Sequence, residues 1–107
     1  MRLIVLQQSK RVAPIFFNRT EARDQLMNHG RVYTIRKKRK SVGVTMARQG
    51  NLFHFTELAK VNVEFVKKVE NHQELSPYVG ESGFKTIDEW ANAAQPGADH
   101  LYKVSKL

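Results

Sequence analysis

The sequence predicts an α+β domain, a small β-barrel of five or six short, mostly antiparallel strands carrying two main helices. Three observations predict it. Runs of β-branched and aromatic residues alternate with polar ones, two stretches carry helical start and stop signals, and turn residues separate these elements at short intervals. The chain has 107 residues, the size of one domain with a single core. No repeat, proline-rich linker or low-complexity segment divides it, so residues 1–107 are expected to fold as one unit.

In chain order, residues 2–6 (RLIVL) are rich in β-formers and suit a first strand, and Pro14 marks a turn or an edge. Asn18 or Thr20 offers a helix cap, Ala22, Leu26 and Met27 give one apolar stripe, and His29 and Gly30 form the stop. Arg31 to Arg36 alternates as a strand and leads into a basic loop. Residues 42–47 and 52–58 flank Gln49, Gly50 and Asn51, which read as a hairpin turn. Val61, Val63 and Phe65 mark another strand, and residues 73–79 a short helical turn bounded by Pro77. Thr86 begins a second helix with Asp88 and Glu89 in its first turn, where negative charge complements the helix dipole. Ile87, Trp90, Ala91 and Ala94 are its expected buried face, Pro96 and Gly97 end it, and residues 101–104 read as a closing strand.

Composition narrows the chemistry. With no cysteine, disulfides, thiolate metal sites and cysteine nucleophiles are excluded, and a reducing compartment, the cytoplasm, is expected. The apolar opening is far shorter than the roughly 18 residues that span a bilayer, so no membrane anchor is expected. The four histidines lack metal-binding spacing, and no phosphate loop or dinucleotide fingerprint occurs, so neither metal nor cofactor is expected.

Charge is the most informative property. The net charge is +8, and it is lopsided: residues 1–50 carry +10 and residues 51–107 carry −2. Such asymmetry gives the field a direction and favours polyanions. Arg36, Lys37, Lys38, Arg39 and Lys40 are consecutive, and with Arg31 and Arg48 they form an acid-free stretch of cations suited to phosphate contacts. Tyr33, Phe53, His54, Phe55 and Tyr78 are candidates for stacking on unpaired bases. Of these, Phe53 and Phe55 are assigned with Phe65 and Trp90 to the core, and Tyr33, inside the basic strand, is the preferred stacking residue.

The segment GRVYTIR (30–36), followed by ESGFKTIDEW (81–90) and LYKV (101–104), resembles ASCH domains. The resemblance covers residues 18–107 and implies a PUA-like β-barrel with a cleft between barrel and helices that binds RNA or a nucleoside. Some members hydrolyse the amide of N4-acetylated cytidine with a Lys, a Thr and a Glu. Matched by motif, these positions hold Arg31, Thr34, and either Glu81 or Ser82. Arginine keeps its proton at neutral pH and supplies charge and hydrogen bonds but no base, so the sequence departs from the hydrolytic pattern at Arg31.

The leading expectation is therefore an RNA-binding module. It uses Arg31, Arg36, Lys37, Lys38, Arg39, Lys40 and Arg48 for phosphates and Tyr33 for a base. The alternative is a small amidohydrolase acting on an N-acylated nucleoside such as N4-acetylcytidine, with Thr34 and Glu81 as its catalytic residues. A third reading, a protein-interaction adaptor, places an acidic partner on the same basic face.

Overall fold

The computed structural model describes residues 11–107, so the strand expected at residues 2–6 lies outside the described residues. The first element among the described residues is a two-residue strand, β1 (Ile15–Phe16), directly after Pro14. Helix α1 (Thr20–His29) follows and buries Ala22 and Leu26, one turn apart, as the apolar stripe requires. It stops where expected. Gly30 takes the left-handed conformation (φ 81°), and its N–H donates to the Leu26 carbonyl at 2.9 Å. The start differs from expectation, because neither Asn18 nor Thr20 caps the helix and Arg19 occupies the cap position without a side-chain bond. Asn18 has a stronger use. Its amide donates to the Gly50 carbonyl at 2.9 Å and accepts from the Gly50 N–H at 2.7 Å, joining the helix entry to a distant hairpin.

Strands β2 (Arg31–Arg36), β3 (Gly43–Gly50), β4 (Phe55–Lys68) and β5 (His100–Lys106) complete a five-stranded sheet in the order β1-β3-β4-β5-β2. The β3–β4, β4–β5 and β2–β5 pairs are antiparallel, and β1 runs parallel to β3. The sheet curls into a half-barrel, and register shifts at Ala47/Arg48 and Phe65/Lys67 mark irregularities of the kind that raise local twist. Its inner face is apolar: Val32 lies opposite Val104 on β5, and Val104 opposite Val63 on β4, all fully buried.

Two strands expected at 52–58 and 61–66 are one. Nothing between Leu58 and Val61 breaks β-structure, so β4 runs unbroken for 14 residues. At its other end β4 begins at Phe55 opposite Gly50, the last residue of β3, so the turn sits at residues 51–54, and this overturns a core assignment. Phe53 is 86% exposed, while Phe55 and Phe65 are exposed at 42% and 50%. Trp90 is buried as expected.

Between β4 and β5 lie a 3-10 helix (His72–Glu81) and α2 (Ile87–Ala93). A capping box closes the 3-10 helix: Asn71 accepts from the Gln73 N–H, and Glu74 accepts from the Asn71 N–H at 3.1 Å. Lys67 at the end of β4 pairs with Glu74 at 2.6 Å and fixes this helix to the sheet. Thr86 caps α2 by accepting from the Glu89 N–H. The loop between the two helices is seated by Ser82, whose buried hydroxyl donates to the Val79 carbonyl at 2.8 Å and accepts from the Phe84 N–H at 3.0 Å. Beside it, Gly83 (φ 91°) passes so close to α1 that a Cβ would run into the Glu21 carbonyl.

Gly83→Ala combines left-handed strain with a backbone clash and is expected to cost about 2 kcal/mol, a fall in melting temperature of roughly 10 °C by calorimetry. The Lys67 ammonium, hydrogen-bonded to Glu74, holds that carboxyl below its usual range. A carboxyl lowered by folding stabilises above its unfolded pKa and stops doing so as pH falls through its folded one. Glu74→Gln should therefore flatten the acid limb of a stability–pH profile, below about pH 4, and leave the neutral region's slope unchanged.

Candidate functional site

A pocket of about 240 Å³ opens between the half-barrel and the helices. The end of β2 supplies Tyr33, Thr34, Ile35 and Arg36. Residues 16–19 supply Phe16, Phe17, Asn18 and Arg19, and the helical side supplies Ala22, Phe84 and Trp90 with the C-terminal end of α2. Among the described residues the walls carry no carboxylate, lysine or histidine, and their cations are Arg19 and Arg36.

Arg36 is central to this arrangement. It leaves β2 and crosses to the opposite sheet edge, where its Nη2 donates to the Phe16 carbonyl of β1 at 2.8 Å. Its Nε donates to the Thr34 hydroxyl at 2.9 Å, and the guanidinium lies 4.9 Å from the centre of the Phe17 ring. No acid among the described residues pairs with it. Burial lowers its pKa to about 10, and the neighbouring Arg39 charge acts in the same direction. The side chain remains charged at neutral pH, so the pocket holds a desolvated cation whose Nη1 makes no hydrogen bond among the described residues.

Thr34 is buried and shares this pocket, but its hydroxyl accepts from Arg36. Glu81 does not join it. Arg31 and Glu81 meet across an exposed ion pair at 2.9 Å, with Nε and Nη2 both donating to one carboxylate oxygen, and this bond raises the Arg31 pKa. Neither residue lines the pocket. Tyr33 lines it while its ring packs on Tyr78, with centroids 4.9 Å apart.

The consecutive cations separate by direction. Lys37, Lys38 and Lys40 are exposed and enter no ion pair among the described residues. Arg39 turns inward: its Nη2 donates to the Ala13 carbonyl at 2.7 Å and its backbone N–H to the Tyr102 hydroxyl at 2.8 Å, while burial lowers its pKa. Arg48 pairs with Glu57 at 3.2 Å and covers the Phe55 ring at 3.9 Å. The expected phosphate set thus contains three free lysines, one pocket arginine, one arginine clamped to backbone, and two held by acids from the C-terminal half.

Sequence reasoning missed the aromatic walls supplied by Phe17 and Phe84. A signal for Phe17 existed in its adjacency to Asn18 before the helix, but only the folded chain brings it under Arg36. No helix among the described residues is long and apolar enough to cross a membrane. No cluster of three or more His, Asp or Glu among them is arranged to hold a metal ion.

Thr34→Val removes the acceptor for the Arg36 Nε and keeps the shape, leaving a charged donor without a partner. It should destabilise the domain by about 1–3 kcal/mol in urea unfolding, and combining it with Arg36→Met should cost less than the two single changes added together. Comparisons with protein-family models, curated proteins and solved structures returned no match, so the meaning of the pocket rests on its own geometry.

Proposed function

We propose that the protein binds nucleic acid, RNA in particular, with the Arg36 pocket as a nucleotide site and Lys37, Lys38 and Lys40 as the surrounding phosphate contacts. The observation that carries this reading is a charged guanidinium without an acid partner in a pocket walled by aromatic rings. A phosphate oxygen is the natural acceptor for the remaining Arg36 donor, since charge-assisted bonds in a partly desolvated site are among the strong ones. The rings of Phe17, Phe84 and Trp90 suit a planar base, and the small volume admits one ring system at a time.

The three free lysines add sequence-independent affinity through counterion release. Arg39 supports them indirectly, because anchoring to Ala13 and Tyr102 fixes the middle of the basic loop while its neighbours face outward. The resemblance to PUA-like ASCH domains points to the same cleft and agrees with the same partner. Hydrolysis of an acylated nucleoside has weaker support: Thr34 has no base beside it, Glu81 is engaged by Arg31, and Arg31 holds its proton.

The test is a salt titration of single-stranded RNA binding. Affinity is expected to fall linearly on a log–log plot of binding constant against salt, and joint replacement of Lys37, Lys38 and Lys40 by Gln should reduce the slope by about 2. Arg36→Met should weaken binding with little change in slope beyond a single contact. Absence of binding at low salt refutes the proposal.

A further inference from the structure

The tip of the β3–β4 hairpin is the most exposed apolar feature among the described residues. Every residue from 51 to 57 is exposed, with Leu52 at 69% and Phe53 at 86%. Exposure of this kind in a loose loop carries little meaning, but this turn is built. The Asn51 side chain accepts from the backbone N–H groups of Phe53 (2.9 Å) and His54 (3.0 Å), and the Asn51 N–H donates to the His54 carbonyl at 2.9 Å. Gly50 (φ 119°) lies so close beneath the turn that a Cβ would collide with the His54 carbonyl. The Phe53 ring is thereby presented from a backbone with few alternatives, which lowers the entropy cost of using it.

Beside it lies an open slot lined by Gln49, Gly50, Phe53, His54, Phe55 and Thr56. Two phenyl groups and three polar side chains share this slot. Arg48, which does not line it, stacks its guanidinium 3.9 Å from the centre of the Phe55 ring and steadies that wall. The slot also adjoins the Arg36 pocket. Gly50 lines the first and Asn18 the second, and these residues are joined by their two hydrogen bonds.

We propose that this slot is a stacking site for an unpaired base, adjacent to the nucleotide held at Arg36, so that the protein selects single strands over duplexes. The inference rests on the nucleic-acid reading above. An aromatic platform accepts the face of any base, and Gln49, His54 and Thr56 can bond its edges. A lipid chain or an apolar protein side chain makes no use of those polar groups, whereas a base edge bonds them, and this favours the base. A base inside a duplex has its faces covered by its neighbours and cannot enter.

The experiment uses the full chain, a short single-stranded oligouridine carrying 5-iodouracil, and the same strand annealed to its complement. Irradiation is expected to give an adduct at Phe53 or Phe55, located by mass spectrometry. Phe53→Ala should weaken single-strand binding roughly 10-fold and leave both duplex binding and the melting temperature unchanged. If Phe53→Ala binds as the unaltered protein does while the Lys37, Lys38 and Lys40 variant is weakened, the slot is overturned and the nucleic-acid reading stands. If the unaltered protein binds no oligonucleotide, both fall. Vesicle binding that depends on Phe53, with single-strand affinity unaffected, likewise overturns the slot in favour of a lipid partner.

Discussion

A guanidinium joins the two edges of this sheet. β1 has two residues, far too few to hold a sheet edge by ladder bonds alone, and the side chain of Arg36 reaches it from β2 at the other end of the strand order. Asn18, by clasping Gly50, and Arg39, by holding Ala13, secure the same N-terminal segment on either side. The pocket lies where this stitching brings the N-terminal segment and the end of β2 together. The cost of the stitching is the partial burial of a charge with no counter-ion, offset by two hydrogen bonds and the Phe17 ring.

On the nucleic-acid reading that cost has a functional side. A paired arginine would neutralise the pocket, as Glu81 neutralises Arg31 and Glu57 neutralises Arg48 on the outer surface. Keeping acids away from Arg36 leaves a positive potential directed into an aromatic-walled cavity, where anions gain most because little water competes. On the nucleic-acid reading, the same group is both a structural clip and an electrostatic lure. A ligand oxygen bound to Nη1 would share the guanidinium with the Phe16 carbonyl and couple occupancy of the pocket to the docking of β1.

The basic run shows why counting charges in a sequence overstates a surface. Five consecutive cations suggest one patch, but the run leaves β2 at Arg36 and continues as a loop, where each side chain's direction is set by its own partners and not by strand alternation. Arg36 and Arg39, three residues apart, go inward to backbone carbonyls. Lys37, Lys38 and Lys40 remain outside. Arginine suits the inward role because its planar fork donates in several fixed directions, whereas lysine's compact, strongly hydrated ammonium favours water.

The secondary structure was legible where local chemistry acts alone. Gly30 stops α1, Thr86 caps α2, and alternation placed β2 at Arg31–Arg36. Reading failed where a distant partner competes with a local one. Asn18 has the right spacing for a cap, yet it serves Gly50, 32 residues away. Phe53 is apolar enough for a core residue, yet the pairing of Gly50 with Phe55 leaves it in the turn. By itself the sequence determined an α+β chain with a basic N-terminal half and the residues from which a site can be made, because propensity, capping and charge are properties of short segments. Only the tertiary structure decided which cations meet acids, which meet carbonyls and which stay free, because pairing depends on side chains from strands far apart in the chain arriving within a few ångströms of one another.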